Sequence, residues 1–155
     1  MRFEGKNALV TGAAGGIGAV LVALLRSEGS RVAVSDRDSR DIEAEAHIDG
    51  DLLDGSFCDA LPRRAADALG GLDILINNAG VITRGDITEA TDSDYALTMG
   101  VNVEAPFRIC RAAIPIMADA GGGVVVNTSS CWGLRPGPNH PLYVMSKAAI
   151  ASLTQ

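Results

Sequence analysis

Tyr143 and Lys147 stand four residues apart in Tyr143-Val144-Met145-Ser146-Lys147. On a helix this spacing places a phenol and an ammonium on one face. A free phenol titrates near about pH 10, and a neighbouring ammonium favours the phenolate. A phenol tuned in this way can take the proton of an alcohol or return one to a carbonyl oxygen. The spacing occurs in many helices, so its meaning depends on what the rest of the chain brings to it.

A second group of residues has the chemistry of a phosphate cradle. Thr11-Gly12-Ala13-Ala14-Gly15-Gly16-Ile17-Gly18 separates a strand pattern from a helix pattern. Glycines there permit a tight turn and a close backbone approach, and the helix start offers free N–H groups and a positive dipole end to a pyrophosphate. Asp36 follows the next strand, about twenty residues on, where a carboxylate accepts from a ribose 2′-hydroxyl and repels a 2′-phosphate. The turn holds no Lys or Arg, which also favours NAD over NADP. Arg37 and Arg40 are the groups that could hold a phosphate instead.

For these groups to meet, the chain must carry them on one scaffold, and its patterning predicts which. Strands are expected at Asn7–Thr11, Arg31–Ser35, Ala46–Ile48, Asp73–Ile76 and Gly123–Thr128. Helices are expected at Ile17–Glu28, with Gly29 closing it, and at Gly55–Leu69 despite Pro62. One or two more lie in Ser93–Asp119, with Pro106 and Pro115 marking bends or boundaries, and a last one opens at Leu142. Alternation of this kind predicts an α/β fold: a doubly wound parallel sheet with helices on both faces. No repeat, low-complexity tract or linker interrupts it, so residues 1–155 read as one domain.

Composition narrows the function. Aromatic residues are 4 % of the chain, so the core is built from aliphatic side chains. A net charge of −6 argues against a nucleic-acid partner. No run is long and apolar enough to span a membrane, and the first residues contain no signal-peptide core. Cys58, Cys110 and Cys131 have no paired spacing, which points away from a disulfide framework or a zinc site and towards the cytoplasm.

The motifs together resemble the short-chain dehydrogenase/reductase family, whose fold is Rossmann-like. The Thr11-Gly-x-x-x-Gly-x-Gly18 spacing matches its glycine motif, and Asn77-Asn78-Ala79-Gly80 matches its N-N-A-G element. The resemblance implies that Asn78, Ala79 and Gly80 line the adenosine side of a nicotinamide dinucleotide. It likewise implies that Asp51-Leu52 meets the adenine. Ser130, thirteen residues before Tyr143, corresponds to the family's active-site serine, which donates a hydrogen bond to the substrate oxygen; Ser129 is its neighbour. Asn102 corresponds to a fourth catalytic residue that helps hold a water linking Lys147 to solvent. Lys147 is expected both to lower the tyrosine's pKa and to bond the nicotinamide ribose. The implied activity is an NAD(H)-dependent oxidoreductase that interconverts an alcohol and a carbonyl.

The chain departs from the family in length, since members usually run to roughly 250 residues. The expected sixth and seventh strands, the loop over the substrate and much of the oligomer interface are absent. Val124-Val125-Val126 is apolar throughout, as suits a strand buried on both faces, yet it would form a sheet edge. A truncated or cleaved enzyme, or one paired with a second chain or with copies of itself, is therefore expected; so is the alternative of a non-catalytic NAD(H)-binding fragment. Trp132 and His140, in the loop between Ser130 and Tyr143, are placed to stack on or hydrogen-bond a substrate such as a sugar, polyol, hydroxy acid or 3-oxoacyl chain. His47 has no evident partner and reads as structural.

Overall fold

The computed structural model describes residues 1–154. Five strands, β1 (Asn7–Thr11), β2 (Arg31–Ser35), β3 (Ala46–His47), β4 (Ile74–Asn77) and β5 (Val124–Asn127), form one parallel sheet in the order β3-β2-β1-β4-β5. The order reverses at β1, so the crevice at the carboxyl ends of β1 and β4 is the ligand position for this topology. The helices are α1 (Gly16–Ser27), α2 (Gly55–Leu69), α3 (Asp92–Met99), α4 (Ala105–Asp119) and α5 (Pro141–Leu153).

Alternation along the strands splits the core in two. Leu9, Ala33 and Leu75 point to the face covered by α2 and α4, where they meet Leu61, Leu69, Ile109 and Met117. Ala8, Val10, Val32, Val34, Ile74 and Ile76 point to the face covered by α1, against Val22 and Leu25. Asp54 caps α2 by accepting from the amides of Ser56 and Phe57, and Gly70 ends it in the left-handed region. Thr91 and Asp94 form a capping box on α3.

Two expectations need correction. Pro106 falls at a boundary, in the first turn of α4, but Pro115 marks none. Between α3 and α4 lies a π-turn at Gly100–Glu104, and Pro115 is carried inside α4. The second concerns β5, which lies at the sheet edge as expected but packs on one face alone. In register with β4, Val125 packs towards α2 and α4, while Val124 and Val126 lie 58 % and 44 % exposed on the α1 face. Helix α1 does not reach this far along the sheet. Element limits otherwise shift by one or two residues, with α1 opening at Gly16 and α5 at Pro141.

Candidate active site

A cleft of about 700 Å³ opens at the carboxyl ends of β1, β2 and β4. Gly12, Gly15, Gly16, Ile17, Gly18, Asp36, Arg37, Asp51, Leu52, Asn78, Ala79 and Gly80, drawn from four separate stretches of sequence, all line it. The sequence reading missed Ala14, Gly50, Leu53, Val81, Leu97 and Val101, which line it too. Four of these directly flank or lie within the motifs, and Leu97 and Val101 are four apart on one helical face.

The glycines are explained by what surrounds them. Gly12 has φ +65°, and a Cβ there would stand 2.6 Å from the Ala79 Cα. A Cβ on Gly18 would stand 2.0 Å from the Gly12 carbonyl oxygen. The turn is thus pressed between the start of α1 and the Asn78-Ala79 backbone, while a Cβ on Gly16 would meet nothing within 4 Å. No side chain caps α1, so its first N–H groups have no such partner where Gly16, Ile17 and Gly18 line the cleft. Anion-seeking donors in an open glycine cradle fit a dinucleotide's pyrophosphate.

The far wall is stitched to the same turn. Asn78 Nδ2 donates to the carbonyls of Thr11 and Gly12 at 3.2 and 3.1 Å, and the amides of Asn78 and Ala79 both donate to Thr11 Oγ1. Asp36 Oδ2 accepts from the Ala14 amide at 2.9 Å, and Oδ1 accepts from Arg37's amide at 2.7 Å. Asp51 Oδ1 accepts from the Leu53 amide.

At the other end, Lys147 is 4 % exposed and donates from Nζ to the Thr128 carbonyl at 2.7 Å. Burial pushes its ammonium below the ordinary lysine range. Its Nζ lies 5.7 Å from the Tyr143 ring centroid and would stand 3.4 Å from a Cβ placed on Gly80. The ammonium therefore bridges the tyrosine and the cleft wall. Asn102 sits in the π-turn, 1 % exposed, and clamps Val81 by accepting from its amide at 2.8 Å and donating to its carbonyl at 2.9 Å. Its second N–H donates to Ser146 Oγ, which in turn donates to the Tyr143 carbonyl.

Ser130 Oγ accepts from the Trp132 amide and caps a short 3₁₀ turn at Cys131–Gly133; Ser129 instead donates to the Lys147 carbonyl at 2.7 Å. Trp132 packs on His140 with centroids 4.8 Å apart and meets the Tyr143 ring edge-on at 6.2 Å. Neither Trp132 nor His140 lines the nucleotide-sized cleft, nor a smaller one of about 400 Å³ beside Asp86 and Met145. Among the described residues no cluster of three or more His, Cys, Asp or Glu could hold a metal, and no helix is long and apolar enough to cross a membrane.

Residues 6–155 match the sequence profile of the short chain dehydrogenase family. An uncharacterised oxidoreductase of Thermotoga maritima is 36 % identical over all of this chain and 65 % of its own length. A D-threitol dehydrogenase of Mycolicibacterium smegmatis is 35 % identical, covering 99 % of this chain and 64 % of its own. A galactitol 2-dehydrogenase of Agrobacterium fabrum is 34 % identical, covering 100 % and 64 %. The chain thus spans just under two thirds of these relatives. A crystal structure of a short chain dehydrogenase from Burkholderia cenocepacia in complex with NADP superposes with a TM-score of 0.89 at 33 % identity, covering 99 % of this chain and 67 % of that one.

Proposed function

The chain belongs to the short-chain dehydrogenase family, and from that premise we propose an NAD(H)-dependent oxidoreductase that interconverts a secondary alcohol and a ketone. The observation that carries this reading is the buried Lys147 ammonium, set between the Tyr143 ring and the Gly80 wall of the cleft. It has three N–H groups and one carbonyl partner among the described residues. The remaining donors are free for a ribose hydroxyl on one side and the tyrosine on the other.

When bound in this cleft, a nicotinamide would supply the hydride acceptor or donor. Tyr143 takes the hydroxyl proton as the alcohol is oxidised and returns it when the carbonyl is reduced. Lys147 stands beside the ring and can bond the nicotinamide ribose. Ser130 donates to the substrate oxygen. Asn102 holds the Val81 backbone and, through Ser146, the start of α5.

Asp36 supports NAD as the cofactor, because a carboxylate at the ribose end repels a 2′-phosphate. Arg37 on the same cleft wall favours NADP as the second reading, as does the NADP bound by the Burkholderia neighbour. The threitol and galactitol dehydrogenases favour a polyol as substrate. Three free thiols suit the reducing cytoplasm as its location.

The test has two stages. Fluorescence titration with NADH and NADPH should give tighter NADH binding. Single-turnover mixing of NAD⁺ with a panel of polyols should then raise the reduced-nicotinamide absorbance. NADH binding without turnover on any secondary alcohol would leave a cofactor-binding fragment as the better reading.

A further inference from the structure

Behind Asp36 lies a set of contacts that the proposed reaction does not use. Asp49, two residues past β3, turns its carboxylate towards the loop that follows β2. Its Oδ1 accepts from the Asp36 amide at 3.2 Å and from the Ser39 hydroxyl at 2.6 Å, and its Oδ2 accepts from the Ser39 amide at 3.0 Å. One carboxylate gathers three donors and ties together the two ends of the turn 36–39.

Ser39 is the inward member of this group. It is 1 % exposed, although Asp38 and Arg40 on either side are exposed. Its single hydroxyl proton is committed to Asp49, so its oxygen accepts from His47 Nδ1 at 3.0 Å, which makes that ring nitrogen the protonated one. His47 is anchored in turn by β3, where it pairs with Val34. Burial works upwards on the Asp49 carboxyl, but the hydrogen bonds from Ser39 and Asp36 outweigh it and hold it below the ordinary carboxylate range. The Asp36 carbonyl is held as well, by the Gly50 amide at 2.9 Å. Both backbone groups of Asp36 are therefore fixed from behind, while its side chain reaches forward to the Ala14 amide at the cleft.

We infer that Asp49, acting through Ser39 and the Asp36 amide, is a positioning residue for cofactor choice. It fixes the carboxylate that accepts from a ribose 2′-hydroxyl and excludes a 2′-phosphate. This rests on the reading of Asp36 as the ribose-recognising group. With the clamp released, Asp36 can leave the Ala14 amide, and Arg37 can be offered to a phosphate.

The experiment is a paired NADH and NADPH titration of the wild-type chain and of S39A, D49N and D38N, with thermal melts to check folding. S39A keeps every charge and so separates positioning from plain repulsion. S39A and D49N should each lower the NADH-over-NADPH affinity ratio by about tenfold, the scale of one charge-assisted hydrogen bond. D38N lies on the same loop but pairs with Arg40 outside the clamp, and should leave the ratio as in the wild type. An S39A ratio equal to the wild type overturns the inference, whether or not D49N changes. A wild-type chain that binds neither nucleotide, or does not prefer NADH, instead refutes the reading of Asp36 on which the inference stands.

Discussion

Asn102 and Ser146, forty-four residues apart, meet through a single hydrogen bond of 3.0 Å in which the amide donates to the hydroxyl. Both are buried, and the bond joins the π-turn to the first turns of α5, where Tyr143 and Lys147 stand. The position of the tyrosine is thus tied to the same buried amide that clamps Val81 on the cleft wall.

S146A removes the acceptor for that amide and leaves a buried N–H without a partner. The expected loss is about 1–3 kcal/mol of stability. Urea denaturation checks it, and a midpoint equal to the wild type would show that the amide finds another acceptor.

Y143F deletes the phenolic hydroxyl and leaves the ring against Trp132. Turnover should fall by about 10²–10⁴-fold, the range for a lost acid–base group, while NADH affinity stays close to the wild type. Stopped-flow absorbance and fluorescence titration read the two quantities separately. Unchanged turnover would remove Tyr143 from the chemistry.

K147M should melt above the wild type at neutral pH. Burial holds the folded Lys147 below its ordinary value of 10.5, so the unfolded chain keeps this proton to higher pH than the folded chain does. Between the folded and ordinary values the wild type gains stability as pH rises. Below that window it bears the whole cost of the buried charge. The advantage of the variant should therefore shrink as pH approaches 10.5. A lower melting temperature at neutral pH would mean that the bond to the Thr128 carbonyl outweighs desolvation.

G18A places a Cβ 2.0 Å from a backbone oxygen that cannot turn aside. It should cost about 1–3 kcal/mol, as overpacking does, and disrupt nucleotide binding. G16A meets no atom within 4 Å and should melt like the wild type. Equal melting of the two variants would contradict the packing described around the turn.

The parallel sheet was legible because aliphatic strand-length runs alternate with helical ones, and because glycines punctuate the first turn. Gly29 marked a helix end because it takes a positive φ, and Gly70 does the same at the end of α2. The Thr91–Asp94 capping box is also written in the sequence, as Thr followed three residues later by Asp. The clamp on Asp36 was not legible. Ser39, His47 and Asp49 form no motif, and only the parallel pairing of β2 with β3 brings them together. His47 looked partnerless because its partner lies eight residues back, across a strand crossing. Likewise, Trp132 and His140 share a loop, but that says nothing about which way their rings turn; they turn towards each other.

The π-turn also explains why Pro106 is tolerated at the start of α4. A proline lacks the N–H that would bond four residues back, and for Pro106 that residue is Asn102. The ladder is already loosened there, so the proline removes little. A π-turn is a helix holding one residue too many, and one residue corresponds to about 100° of rotation. The extra residue sets the phase between two faces: Asn102 aims at Val81, while Ile109, Ala113 and Met117 aim at the sheet. Losing any one residue from 100–104 would close the helix into a single frame in which only one of these faces points correctly. The segment is consequently more sensitive to a change in length than to a change in side chain.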